Sequence, residues 1–205
     1  MKFIKWKSLI ITCLACLLPI LLGLALWETL PETIAIHFNF YNEPDNFASK
    51  EFAVFGLPLL MVLLQIICCI INDVNAKKHG ERKKFERVTK WIIPIMAMLL
   101  QAITFAYALG KNIDIRKSAI LIVGIIFLVI GNYQPKFDYV KNYDIETDKA
   151  RKINRFIGNL TVLWGVFALL TIFLPPLFSV IWLISLIPYG IISVIFSIKI
   201  AKSSH

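Results

Sequence analysis

Six long apolar runs leave this chain few options. They are Leu9 to Trp27, Phe52 to Ile71, Trp91 to Leu109, Ser118 to Tyr133, Phe156 to Phe173 and Leu177 to Ile198. A hydrocarbon core of about 30 Å takes about 20 helical residues, so runs of this length read as membrane spans. A chain that is 58% hydrophobic and only 17% charged cannot clothe a soluble domain of this size. The expected fold is therefore an all-α membrane protein of six transmembrane helices. The fourth run is the shortest and would need local bilayer thinning or flanking anchors to span. The paired prolines of "LPPLF" separate the last two runs by a tight turn. The basic start "MKFIKWKS" resembles a signal peptide, but the run behind it is nearly span-length, ends on Trp27 and lacks a small-residue cleavage site. It reads as a retained helix.

Lys and Arg distribute unevenly between the connections, with 18 on the side of the two termini and 4 on the other. The positive-inside rule then places both termini of a multi-pass membrane protein in the cytoplasm and the segment between the first two runs outside. The net charge of +9 is topological and gives no reason to expect nucleic acid as a partner. The basic stretch "KKHGERKKFERVTK" suits anionic lipid headgroups of the bilayer.

No Asp, Glu, Lys, Arg or His falls well inside any of the six runs, which disfavours a proton pump or an ion-coupled carrier. Gln65, Gln101, Thr104, Asn159 and Thr161 are the polar exceptions and read as interhelical hydrogen-bonding groups. Pro19, Pro58 and Pro188 each free a carbonyl inside a helix. No nucleophile elbow, H-E-x-x-H or phosphate-binding glycine loop is present, so no enzymatic role and no cofactor are expected. His37, His79 and His205 lie in different segments and cannot share a metal. Cys13, Cys16, Cys68 and Cys69 fall at similar depth in the first two runs; they read as small packing residues, a thiolate metal or redox site being the alternative.

The connection "LPETIAIHFNFYNEPDNFASK", residues 30 to 50, is elaborate for a loop. Ile34, Ile36, Phe38 and Phe40 alternate with Ala35, His37, Asn39 and Tyr41, the period of a half-buried strand, and Asn42 to Asp45 reads as a turn. A small ordered extracellular cap containing a short strand follows. Phe38, Phe40 and Phe47 would seat it, while His37, Asn39, Tyr41 and Asp45 would face outward as a recognition surface.

With an apolar span behind it, this stretch resembles the N-terminal domain of unknown function found in the SdpI family of bacterial integral-membrane immunity proteins. Leu30, Pro31, His37, Asn39, Pro44, Asp45 and Lys50 match that pattern. Ala35 stands where a proline is common, and Tyr41 with Asn42 where a glycine is common. A second block resembles the C-terminal signature of the same family: "GNYQPK" with Gly131, Asn132, Tyr133 and Pro135, the pair Asn142 and Tyr143, and "NRFIGN" with Arg155. "DIETDKARK" replaces the family's Gly-Ile-Arg-Thr-Pro-Trp segment. The resemblance divides the chain at residue 90, into an N-terminal two-helix unit over 1–90 and a four-helix unit over 91–205 whose cytoplasmic loop is 134–155.

The resemblance implies that the membrane is the bacterial cell membrane. It also implies protection of the producing cell against a secreted antimicrobial peptide toxin and, in some members, retention of a cytoplasmic transcription regulator at the membrane. His37, Asn39, Tyr41, Pro44, Asp45 and Lys50 are the residues it implies for the outer contact. The alternative is a membrane transporter or exporter of a peptide or lipid.

Overall fold

The computed structural model describes residues 4–39, 41–79, 83–136 and 147–202. Its six long helices are α1 (Trp6–Ala25), α2 (Leu57–His79), α3 (Lys83–Ala108), α4 (Ile115–Tyr133), α5 (Thr147–Thr171) and α6 (Pro176–Lys202). All six are long and apolar enough to cross a membrane. Between α1 and α2 lie two strands, β1 (Thr33–Phe38) and β2 (Pro44–Ser49), paired antiparallel, then a π-turn over Phe52–Gly56. The helices outrun the apolar runs. α2 continues past Ile71, and α3 and α5 start before Trp91 and Phe156, because Lys, Arg, Glu and Ala carry a helix past the point where hydrophobicity ends. The fourth run extends to a 19-residue helix, about 28 Å long, and the added residues Ile115, Arg116 and Lys117 place two cations at its start as flanking anchors. Asp114 starts it, its side chain accepting the Lys117 amide at 2.9 Å.

The chain forms two compact units, Met1–Val74 with Arg87–Ala119 and Asn75–Glu86 with Ile120–His205. By contacts, α3 from Arg87 onward belongs with α1 and most of α2.

In the first unit α1 buries Thr12, Cys16, Pro19 and Gly23, spaced four, three and four residues apart, and leaves Leu14, Leu18, Leu21 and Leu24 exposed. This is the inverse of a soluble amphipathic helix. Small residues admit a neighbouring backbone, and the leucines suit lipid. A Cβ on Gly23 would sit 2.6 Å from Val54 Cγ1, so nothing larger fits where α1 meets the π-turn.

Two prolines and two glutamines join α2 to α3. In the π-turn the Leu57 amide donates to Phe52 O, five residues back; the next residue in that register, Pro58, has no N–H for Ala53 O. Gln101 of α3 donates to Ala53 O instead, at 2.7 Å. Within α3, Pro94 leaves Lys90 O without its helical donor, and Gln65 of α2 fills that vacancy at 2.8 Å. Gln101→Leu should cost about 1 to 2 kcal/mol, the upper range for interhelical hydrogen bonds. Gln65→Leu should cost less, because it also removes the buried Gln65 Oε1, which has no partner among the described residues. Thermal unfolding of the two variants in one detergent gives the order.

In the second unit α4 and α5 pack through glycines. Gly124 and Gly131 are seven residues apart on α4, as are Gly158 and Gly165 on α5, and each pair faces the other in antiparallel order. A Cβ on Gly131 would lie 2.7 Å from Gly158 O, and one on Gly158 equally close to Gly131 O. Aromatic and hydroxyl groups join α5 to α6. Trp164 Nε1 donates to Ser185 Oγ at 2.9 Å, Trp182 Nε1 to Trp164 O at 2.9 Å, and Thr161 Oγ1 lies 2.8 Å from Tyr189 Oη. Thus Gln65, Gln101 and Thr161 bond between helices as their polarity suggests, whereas Asn159 is exposed.

Candidate functional site: the hairpin between α1 and α2

The segment holds two strands where one was expected, and the turn at Tyr41 and Asn42 ends early enough that Pro44 and Asp45 open β2. Pairing is irregular. Ala35 faces Phe47 and His37 faces Asn46, which leaves Ile36 as an extra residue on β1; Phe38 faces Pro44, which leaves Asp45 extra on β2. The two bulges explain why strict alternation fails. Ile34 and Ala35 are both buried, at 1% and 7% exposure, while His37 is turned out. Bulging also brings His37 Nδ1 to 2.5 Å from Asp45 Oδ1 on the exposed face.

Asn39 builds the turn. Its Oδ1 accepts the amides of Tyr41 (2.9 Å) and Glu43 (3.0 Å), and its Nδ2 donates to Glu43 Oε2. Asn39 is thus a scaffold for the tip, where Tyr41 is 65% exposed. Asn42 takes φ of +67°, the left-handed conformation that glycine adopts freely and asparagine tolerates. That conformation suits the position where the resembling family commonly has glycine. The asparagine side chain adds what glycine cannot: Oδ1 accepts the Ile115 amide at 2.7 Å and Nδ2 donates to Ile113 O, so the hairpin tip caps the start of α4.

Lys50 is not on the surface. It is 7% exposed, and its ammonium donates to Glu32 Oε1 at 2.8 Å and to the carbonyls of Trp27 and Leu30 at 3.4 Å, 5.0 Å from the Trp27 ring centroid. Three protons meet three acceptors, and the cation stabilises the carbonyl end of α1. Ser49 Oγ accepts the Phe52 amide, beginning the next helical segment. The Glu51 carboxyl beside it is held below the usual carboxylate range by its own backbone amide, by Ser49 and by Lys50. Phe38 seats the hairpin edge-to-face on Tyr107, ring centroids 4.7 Å apart, above a core of Leu30, Ile34, Val54 and Phe105. Phe47 does not help to seat it, being 56% exposed, and Phe40 lies outside the described residues.

At the other motif block, Gly131 is a member of the glycine seam and the Pro135 ring lies against Gly158. Gln134 Nε2 donates to Asn154 Oδ1 at 3.3 Å, Tyr133 is half-buried, and Asn132 and Arg155 are exposed. Asn142 and Tyr143 lie outside the described residues. All four cysteines are free thiols. Cys69 accepts Gln65 Nε2 at 3.2 Å and meets Thr12 Oγ1 at 3.6 Å, while Cys68 receives Asn72 Nδ2. Among the described residues no three His, Cys, Asp or Glu side chains are placed to hold a metal ion.

One ionic feature escaped the apolar-run analysis. Asp73 and Lys90, 1% and 2% exposed, form an ion pair at 2.6 Å between α2 and α3. Asp73 Oδ2 also accepts the Lys5 amide at 3.0 Å, the donor that opens α1. The run Phe52 to Ile71 stopped two residues short of this carboxylate. The pair is buried between helices but flanks the two apolar runs, so the runs themselves still hold no Asp, Glu, Lys, Arg or His.

Residues 14–62 match the model of a domain of unknown function (DUF1648), a stretch running from α1 through the hairpin into α2. No curated protein and no solved structure matches the chain.

Proposed function

We propose that this is an integral-membrane immunity protein that protects its cell against a secreted antimicrobial peptide, with the bulged hairpin as the contact surface. One observation carries the reading. His37 and Asp45 are paired on the exposed face of a hairpin whose turn, base and tip are each fixed by Asn39, Lys50 and Asn42. Side-chain bonds invested in holding a loop rigid suit a recognition surface rather than a mere connection. The resemblance to SdpI immunity proteins supplies the class of ligand, and the matched domain of unknown function covers the hairpin. In the same reading the basic connections hold an acidic or phosphate-bearing transcription regulator, and the hairpin faces outward with both termini in the cytoplasm, an orientation that the 18 to 4 distribution of Lys and Arg supports.

His37→Ala and Asp45→Ala should abolish protection against the cognate peptide while leaving the amount of protein in the membrane unchanged. Phe38→Ala should lower both, because it removes the ring packed on Tyr107. Survival plotted against protein level separates the two outcomes; His37→Ala and Asp45→Ala variants that protect fully would reduce the hairpin to scaffold. Topology reporters fused at Asn46 and at Lys84 should give opposite answers, and agreement between them would refute the orientation. An exporter of peptide or lipid is the second reading, favoured by the buried Asp73–Lys90 pair, since ionisable groups enclosed between membrane helices often serve transport.

A further inference from the structure

The clamps at the two ends of α1 are complementary. At its amino end the Lys5 amide donates to Asp73, and just past its carboxyl end, in the turn that follows Ala25, the carbonyls of Trp27 and Leu30 accept from Lys50. An anion at the start of a helix and a cation at its end both oppose the helix dipole favourably. Both charges come from the segment that runs antiparallel to α1, Lys50 just before the π-turn and Asp73 near the far end of α2. Between the clamps the fully buried residues of α1 are the small or compact Thr12, Cys16, Pro19 and Gly23, with Leu22 packed against the core below the hairpin. Among lipid chains such a seam supplies packing but no hydrophobic drive, so the end clamps weigh heavily in the hold on α1.

We propose that α1 works as a rod between the hairpin and a distal ionic latch: Asp73, shared by the Lys5 amide and Lys90, holds α1 in one register, and displacement of the hairpin is relayed along α1 to open the latch. The helix is suited to this. Its 20 residues span about 30 Å, and it leads through one turn into Leu30 and Ile34 of the hairpin core. Asp73 is suited as well, since both its oxygens are engaged, one by each partner. Withdrawing the Lys5 amide loosens the carboxylate that faces Lys90, and withdrawing Lys90 leaves a buried anion that can no longer stay in place. The latch stands whatever the hairpin binds; its meaning as a signal rests on the hairpin being the contact surface.

Coupling between two ends is reciprocal, so the relay can be read without any ligand. Amide hydrogen exchange is measured on the full chain in phosphatidylcholine nanodiscs. Asp73→Leu with Lys90→Met removes the latch without leaving an unpaired charge, and exchange should accelerate at least tenfold both at Lys5 to Leu9 and at the β1 amides Ile34 to Phe38. Lys50→Met loosens the opposite clamp and should speed exchange at Lys5 at least fivefold, from the far end of α1. Arg87→Met, which removes an exposed cation near Lys90, should change neither region by more than twofold. Acceleration confined to the altered end in both variants would overturn the relay, and protection unchanged at Lys5 in the double variant would overturn the latch itself. Should the double variant fail to accumulate, the Lys50→Met result decides. Loss of protection in His37→Ala is a separate readout, so a failed relay and a failed contact surface are distinguishable.

Discussion

Gly158→Ala should be among the most damaging single-methyl additions in this protein, lowering stability by about 3 kcal/mol, the upper end of ordinary overpacking. Its Cβ would fall 2.7 Å from the backbone oxygen of Gly131 and 2.7 Å from both Cδ and Cγ of Pro135. None of these atoms can rotate aside, because one belongs to a helix backbone and the others to a closed ring. α5 must therefore move off α4, which loosens the whole seam. Gly131→Ala meets Gly158 O and the Val162 amide nitrogen and should be nearly as costly. At Gly165 the nearest atoms are 3.0 Å away, so Gly165→Ala should be milder. Gly190→Ala, with nothing within 4 Å, should be neutral or slightly stabilising through the better helix propensity of alanine. Unfolding of the four variants in a single detergent checks the order. If Gly158→Ala and Gly190→Ala behave alike, α4 and α5 are not in contact as described.

This seam also shows what the sequence could and could not disclose. Heptad-spaced glycines on two adjacent spans are readable as a close antiparallel pair, and the motif resemblance covers Gly131 and, within "NRFIGN", Gly158, but not Gly124 or Gly165. The six helices themselves were legible, because lipid demands long uninterrupted apolar stretches and few other structures supply them. Their ends were not, since Asn72, Asp73 and Thr147 to Arg155 are polar and helical at once. β2 was invisible for a different reason. "PDNFAS" has poor strand propensity and is held in place by β1 and by the π-turn that follows it, so its structure is tertiary in origin. The hairpin's exposed pair was half-legible: His37 and Asp45 were both singled out, but the bulges that bring them together depend on pairing register. Lys50 illustrates the same limit. Its position was marked by resemblance, whereas two of its partners, backbone carbonyls in the segment after α1, carry no side-chain signal at all.

Lys90→Met should cost about 3 to 5 kcal/mol, enough to lower the amount of folded protein sharply, because it leaves the Asp73 carboxylate buried without a counterion. The size follows from where the pair lies. Both side chains are almost fully enclosed, at 0% and 3% exposure, so water cannot take over the role of the ammonium. Methionine matches the lysine stem in length and volume, which keeps packing nearly constant and isolates the charge. The backbone carbonyl of Lys90 still receives Gln65, so the α2–α3 stitch survives the substitution. Asp73→Leu combined with Lys90→Met should therefore recover most of the loss, since a hydrophobic pair of similar volume replaces a buried ion pair at little net cost. What the double variant does not recover is the acceptor for the Lys5 amide. Stability and the hold on α1 should thus come apart: the single variant loses both, the double variant regains the first and not the second. Thermal unfolding beside hydrogen exchange at Lys5 measures the two quantities in the same samples, and a double variant as unstable as Lys90→Met alone would mean that the carboxylate is not the source of the penalty.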